Sequence, residues 1–437
     1  MKMEIGGEMK AIKVDRLSEI RKLYRDNVIP SYARFDLALD HGERSYIYDV
    51  AGKRYLDLGG GIAVCALGHA NPEITDALLE QSRKLLHVSN LYFTKPQAQL
   101  AEALVRLIGP GRCFFCNSGA EANEGLYKLA RKFGHDAGRF EILTTDGSFH
   151  GRTLAGIAAT GQEKVKKGFE PMVAGFRQVP FNDLDAMRAA ITPQTAAILV
   201  EAIQGESGIT AATPQYLLGL RKLCDERGLL LLLDEVQAGH FRTGSFHGWQ
   251  RILEAGAIDP NRPGGSVNRP YLPDAISMAK SLGGGFPIGA FWVRDKFAEM
   301  LSAGTHATTF GGNPLGCAVA LKVLEVIARD QLADNARELG RFMIDELQRL
   351  IRKFPGVLKE GRGFGLMIGL EFRADAPGFR GQEKAPALQV VERLHAAGVL
   401  TIPAGTSVIR LLPALNITRS EAMEGLHAIE QVVAQLA

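Results

Sequence analysis

Three places in the sequence put polar side chains where packing alone would not ask for them. The first is Asp234, which follows the five-leucine run at 229–233. A carboxylate at the end of so apolar a strand is partly desolvated and needs a cationic partner; a helix cap or a loop salt bridge is the plainer use. The second is Asn117-Ser-Gly-Ala-Glu-Ala-Asn123, directly after a short apolar stretch at 113–116. Ser118 and Glu121 have capping-box spacing, so a helix starts here with free backbone N–H groups. Gly119 lets a ligand come close to those groups, which makes an anion cradle suited to phosphate; a well-capped structural helix would read the same. The third is Lys280, alone among small apolar residues in Asp274-Ala-Ile-Ser-Met-Ala-Lys280 and followed by Ser-Leu-Gly-Gly-Gly. In a phosphate-binding P-loop the lysine follows the glycines, so this is not one. An apolar setting destabilises an ammonium and suits Schiff-base chemistry with an aldehyde; a lysine snorkelling to solvent is the alternative. An anion cradle, a buried carboxylate and such a lysine together match what pyridoxal phosphate requires: a phosphate site, an aldehyde-binding amine and an acid that keeps the ring nitrogen protonated.

The elements needed to hold these groups are legible in the hydrophobic pattern. Short apolar strands at 140–145, 196–200, 229–233 and 290–293 alternate with helix-spaced segments at 71–86, 96–107 and 215–226. That alternation predicts an α/β fold with a mainly parallel sheet covered on both faces, and ligands at the carboxyl ends of its strands. A surface helix at 16–26 and a hairpin at 46–58, turning at Ala51-Gly52, precede it. After about residue 316 the pattern changes to a long helical stretch at 317–351 with a break near Asp330. Strands at 365–372 and 407–412 and a closing helix from Arg419 follow. This reads as a separate α+β unit packed with the N-terminal segment. The segment 259–271, with three Pro, two Gly and two Asn, reads as a loop.

Bulk properties exclude several classes of function. The 437 residues carry 51 basic and 48 acidic side chains, a net charge of +3, which gives no electrostatic footprint for nucleic acid or an anionic membrane. No run approaches the ~18 apolar residues of a membrane helix, and the N-terminus does not read as a signal peptide. The five cysteines are odd in number and lie in apolar segments, as expected of reduced, buried thiols in the cytoplasm. Cys113 and Cys116 have redox- or zinc-motif spacing, yet residues three apart on a strand point to opposite faces. No second cysteine pair completes a metal site.

The motifs around these groups resemble the class III aminotransferases. The resemblance rests on Ser118-Gly-Ala-Glu-Ala-Asn123, Phe149-His-Gly-Arg152, Glu201-Ala-Ile-Gln-Gly-Glu206, Leu233-Asp-Glu-Val-Gln237, Ala279-Lys280, Thr308-Thr-Phe-Gly-Gly-Asn-Pro314 and Val408-Ile-Arg-Leu-Leu-Pro413, in the family's order over nearly the whole chain. It implies a fold type I transferase, with a large cofactor domain at 66–316 and a smaller domain from 1–65 and 317–437. It also implies a homodimer or higher oligomer with shared active sites. Carried over by residue, Lys280 would bind the cofactor covalently and later shuttle a proton, and Asp234 would pair with the pyridine nitrogen. Phe149 would stack on the ring with His150 beside it, Val236 would pack on the other face, and Gln237 would reach the phenolic oxygen. Ser118, Gly119 and Ala120 would hold the phosphate, with Thr309 supplied by the neighbouring subunit. Arg152 would take the carboxylate distal to the reacting amine. Arg410 would take the α-carboxylate of glutamate, and Glu206 would cover Arg410 while the other donor is bound. Structural ion pairs are the alternative for both arginines.

Within the family, His87-Val-Ser-Asn-Leu-Tyr92, Gly61-Ile-Ala-Val64 and Leu415-Asn-Ile-Thr418 look most like the branch that transfers the terminal amine of N-acetylornithine to 2-oxoglutarate. Ile62 stands where ornithine-specific members carry a tyrosine, so it is expected to shape donor choice. Other donors (ornithine, 4-aminobutyrate), a related decarboxylase or aminomutase, a cofactor-binding protein without turnover and a thiol enzyme are the competing expectations. The chain departs from the family at Ala202, where proline is usual, at Phe241 and Ser281, where glycine is usual, and in the added length of 259–271.

Overall fold

The computed structural model describes residues 5–256 and 273–437, with side chains from Arg16 onward; the expected loop at 259–271 lies outside the described residues. A seven-stranded sheet forms the centre. Its order is Gly111–Cys116, Gly289–Arg294, Ala275–Met278, Leu230–Asp234, Thr195–Glu201, Glu141–Thr145 and Phe176–Val179. From Ala275–Met278 to Phe176–Val179 every pairing is parallel, whereas Gly289–Arg294 runs antiparallel to both of its neighbours. Thr195–Glu201 and Leu230–Asp234 are buried at every position, as strands covered on both faces must be, which is why they read as unbroken apolar runs.

Helices cover the sheet where small residues allow it. On Gly119–Gly134 a Cβ at Gly125 would stand 2.2 Å from the Phe291 ring, so that helix lies against Gly289–Arg294 only with glycine there. The helices expected at 71–86, 96–107 and 215–226 form as Pro72–Ser82, Lys95–Ile108 and Pro214–Arg227, each with proline in its first turn, where its missing N–H costs nothing. The parallel strands end together, bringing Thr145, Glu201, Asp234 and Met278 to one edge of the sheet.

Beyond the sheet, the helices Pro314–Arg329 and Leu332–Lys353 separate at Gln331, whose φ of 53° places it in the left-handed region. An antiparallel sheet of Leu358–Phe364, Met367–Phe372, Val408–Leu411 and Ile402–Ala404 follows. The N-terminal hairpin Tyr46–Asp49 and Arg54–Asp57 pairs onward with Val399–Leu400. Leu56 and Leu58 accordingly share one hydrophobic cluster with Val323, Leu347, Leu370 and Ile429. Among the described residues no helix is long and apolar enough to cross a membrane.

Candidate active site

At the common strand edge, Asp234 stands in register with Glu201 on one neighbouring strand and Ser277 on the other. Only 5% of Asp234 is exposed, so its charge depends on what surrounds it. Its Oδ2 accepts a hydrogen bond from Asn123 Nδ2 at 2.7 Å and lies 2.8 Å from His150 Nδ1, while Oδ1 accepts from the backbone N–H of Val236 at 3.1 Å. Burial alone would raise its pKa; the hydrogen bond and charge of His150, with Asn123 and Val236, hold it below the ordinary carboxylate value. Asp234 is therefore an anion facing the cavity, held by His150 and Asn123 on one oxygen and by the Val236 N–H on the other.

Glu201, next to it, is held differently. Its two oxygens accept backbone N–H groups, Oε1 from Phe149 at 2.9 Å and Oε2 from Gly205 at 3.2 Å. Burial and the neighbouring charge of Asp234 push it up to about 7. Glu235, adjacent in sequence to Asp234, faces away from this cluster. It accepts the N–H groups of Gly248 and Trp249 at the start of the helix Gly248–Gly256, and burial raises it to about 8.

Lys280 follows the strand Ala275–Met278 with φ 49°, a left-handed conformation that a non-glycine residue holds only under constraint from its surroundings. Burial lowers its amine below the ordinary lysine value, against the raising charge of Glu206. Its amine makes no hydrogen bond or ion pair among the described residues. Arg410, 3% exposed, points in from Val408–Leu411. Its Nη1 donates to Glu206 Oε1 at 2.6 Å and its Nη2 to Oε2 at 3.3 Å, a two-pronged pair of the kind guanidinium and carboxylate favour. Nη1 also lies 3.3 Å from Gln237 Oε1 and from the Gly205 carbonyl oxygen. Burial would raise Glu206, but the charge and hydrogen bond of Arg410 bring it below its ordinary value.

The helix Gly119–Gly134 supplies the anion cradle. Ser118 Oγ accepts the Glu121 N–H at 3.2 Å, while the Glu121 carboxylate accepts the N–H of Asn117 at 3.0 Å, one residue before its capping-box target. The N–H groups of Gly119 and Ala120, in the first turn, are left for a ligand. A Cβ at Gly119 would come 2.7 Å from Val236, so this close approach requires glycine.

Ser118, Gly119, Ala120, Phe149, His150, Arg152, Glu206, Asp234, Val236, Gln237 and Lys280 all line one cavity of about 470 Å³, with Arg410 behind Glu206. The Arg152 guanidinium stands 5.3 Å from the centre of the Phe149 ring. Two residues singled out in the sequence lie elsewhere. Ile62, in a left-handed conformation with φ 63°, lines a different cavity with His69, Asp57 and Tyr32. Thr309 lines another with Asn117, Glu121 and His306. Cys113 and Cys116 sit on Gly111–Cys116 as free thiols, and burial pushes both up to about 12, which removes the thiolate that thiol chemistry needs.

The profile of the family described as Aminotransferase class-III matches residues 29–433. The chain belongs to the class III aminotransferases. Among curated relatives, the acetylornithine aminotransferases of Gloeobacter violaceus and Rhodobacter capsulatus are each 43% identical to it. The first alignment covers 95% of this chain and 98% of the relative, the second 94% and 98%. Among solved structures, the N-acetylornithine aminotransferase of Stenotrophomonas maltophilia is 36% identical, with a TM-score of 0.75 over 92% of this chain and 97% of that one. The ornithine aminotransferase of Toxoplasma gondii is 29% identical, with a TM-score of 0.87 over 99% of both chains. Backbone likeness thus runs across both branches, while among these four sequence identity is higher to the three acetylornithine aminotransferases.

As a class III aminotransferase the enzyme depends on pyridoxal phosphate, and the cavity fits that group. The glycine cradle suits a phosphate, the unpaired amine of Lys280 suits an aldehyde, and the fixed anion Asp234 suits a protonated ring nitrogen. In the sequence Asn123 is only part of a motif; its contact with Asp234 spans 111 positions and gives it a role that no local signal could.

Proposed function

We propose that the enzyme transfers the terminal amino group of N-acetylornithine, or a similar ω-amino acid, to 2-oxoglutarate, giving a semialdehyde and glutamate. It does so as a cytoplasmic homodimer or higher oligomer whose active sites are shared through Thr309. The observation that carries the donor assignment is that the three carboxylates lining the cavity among the described residues are committed: Glu206 to Arg410, Asp234 to His150 and Asn123, and Glu201 to two backbone N–H groups. A second ammonium on the donor, as in free ornithine, would be desolvated without an acceptor, whereas the neutral amide of the acetylated donor is not penalised in this way. The relatives named acetylornithine aminotransferase support the same reading. The hydrophobic cluster that joins Leu56 and Leu58 to residues beyond Val319 supports a division into a cofactor domain, 66–316, and a smaller domain from 1–65 and 317–437.

Lys280 would hold pyridoxal phosphate, which when bound would supply the aldehyde for the amino group and a ring able to draw electrons. Ser118, Gly119 and Ala120 would hold its phosphate, Phe149 and Val236 would enclose its ring, and Gln237 would face its phenolic oxygen. Asp234 would keep a proton on the ring nitrogen. The Lys280 amine, whose burial favours the neutral form, removes the proton from the donor carbon that bears the nitrogen. Arg152 holds the carboxylate at the donor's far end. Glu206 covers Arg410 while an ω-amine donor is bound and leaves it when glutamate presents its α-carboxylate.

Two measurements test these assignments. In single-turnover experiments Glu206→Ala should slow the half-reaction with N-acetylornithine by about 10-fold or more, the scale of a lost charge-assisted hydrogen bond, and slow the glutamate half-reaction far less. Equal losses would remove the exchange from the account. With saturating 2-oxoglutarate, kcat/KM for N-acetylornithine should exceed that for ornithine by roughly 10- to 100-fold. A higher value for ornithine or 4-aminobutyrate would overturn the donor assignment and leave the transaminase intact.

A further inference from the structure

Glu201 and Asp234 end adjacent parallel strands in register, so two carboxylates stand side by side at the sheet edge. Asp234 is held by side chains, the His150 ring nitrogen and the Asn123 amide meeting at one oxygen. Glu201, 5% exposed, instead joins two loops that are 52 and 4 residues away in sequence: Oε1 accepts the N–H of Phe149 and Oε2 the N–H of Gly205. Phe149 carries the ring assigned to cofactor stacking. Gly205 is the residue before Glu206, its carbonyl oxygen accepts from Arg410 Nη1 at 3.3 Å, and its Cα lies so close to Gln237 that a Cβ there would stand 2.3 Å from the Gln237 amide. The segment from Glu201 to Glu206 is held at its middle by the pairing of Ile203–Gln204 with Thr210–Ala211, and the Glu201 carboxylate adds the restraint at its far end, on the Gly205 N–H.

We infer that Glu201 is a positioning residue for the exchange of Arg410 partners. By holding Gly205 N–H on one oxygen and Phe149 N–H on the other, it fixes the base from which Glu206 reaches Arg410 and ties that base to the cofactor's stacking ring. The inference rests on the Glu206–Arg410 reading above. Both oxygens must accept, and an amide of the same size can satisfy only one N–H while turning its own NH₂ against the other.

The test uses the holoenzyme of Glu201→Gln, Glu206→Ala and the double variant in single-turnover half-reactions with N-acetylornithine and with glutamate. Glu201→Gln should keep the yellow, covalently bound cofactor. It should slow the N-acetylornithine half-reaction about 10-fold more than the glutamate one. The double variant should be no worse than Glu206→Ala by more than about 2-fold, because both changes act on one contact. Equal losses in the two half-reactions, no loss, or full additivity would overturn the inference. Should Glu206→Ala show the asymmetry and Glu201→Gln not, the exchange stands and the positioning role falls. Should Glu206→Ala itself show none, both fall. If Glu201→Gln does not fold, Glu201→Asp, whose shorter arm reaches only one of the two N–H groups, is held to the same outcomes.

Discussion

Lys280→Ala should abolish turnover and yield a protein that borohydride cannot label with cofactor, whereas the wild-type enzyme should be yellow and should carry reduced cofactor on the peptide containing Lys280. The reason is local. The strand Ala275–Met278 delivers the chain to the cavity, the left-handed backbone at Lys280 turns the side chain inward, and burial leaves an amine that is easier to deprotonate than an ordinary lysine. No other lysine lines this cavity among the described residues, so alanine leaves nothing to replace either the covalent link or the proton transfer at the donor carbon. Reduced cofactor still bound covalently to Lys280→Ala would show that another residue is the attachment point. Loss of label with turnover near wild type would separate attachment from catalysis.

Asp234→Asn should bind cofactor but lose on the order of 10²-fold or more in kcat, the usual scale for removing one electrostatic partner aimed at developing charge. The substitution keeps the shape of the side chain and can keep the contact from Val236 N–H. What it loses is the anion: an amide cannot hold a proton on the ring nitrogen, and His150 would no longer face a charge. KM should change much less than kcat, because the contact matters most as charge moves into the ring. Wild-type kcat in this variant would mean that Asp234 is not the ring's partner, and Glu201, its neighbour in register, would become the candidate.

Asp234 was legible in the sequence because it follows an unbroken apolar run, the mark of a strand buried on both faces, and Lys280 because it stands alone among small apolar residues before a glycine-rich turn. The helix start at Ser118 was legible from its capping spacing, and the break near Asp330 from the change of pattern. What the sequence could not carry is register and long-range pairing. Nothing local says that Glu201 lies beside Asp234, or that Asn123 and His150 converge on one oxygen of it. Glu235 reads as a second carboxylate at the same strand end, and only the turn after the strand decides that it faces a helix start instead. Gly289–Arg294 looks like its parallel neighbours in composition, since direction leaves no trace in hydrophobicity. The resemblance singles out Ile62, but the structure places it in a cavity with Asp57 and His69 rather than with Lys280.

On the proposed reading, an amino group leaves an ω-amine donor, stays with the enzyme, and passes to 2-oxoglutarate. Holoenzyme mixed with N-acetylornithine labelled with ¹⁵N at its terminal amine, without acceptor, should release unlabelled semialdehyde and keep the label after gel filtration. Adding 2-oxoglutarate should then produce ¹⁵N-glutamate in an amount equal to the active sites. Release of the label as ammonia, its return to a different carbon of the donor, or loss of carbon dioxide from the donor would contradict the account.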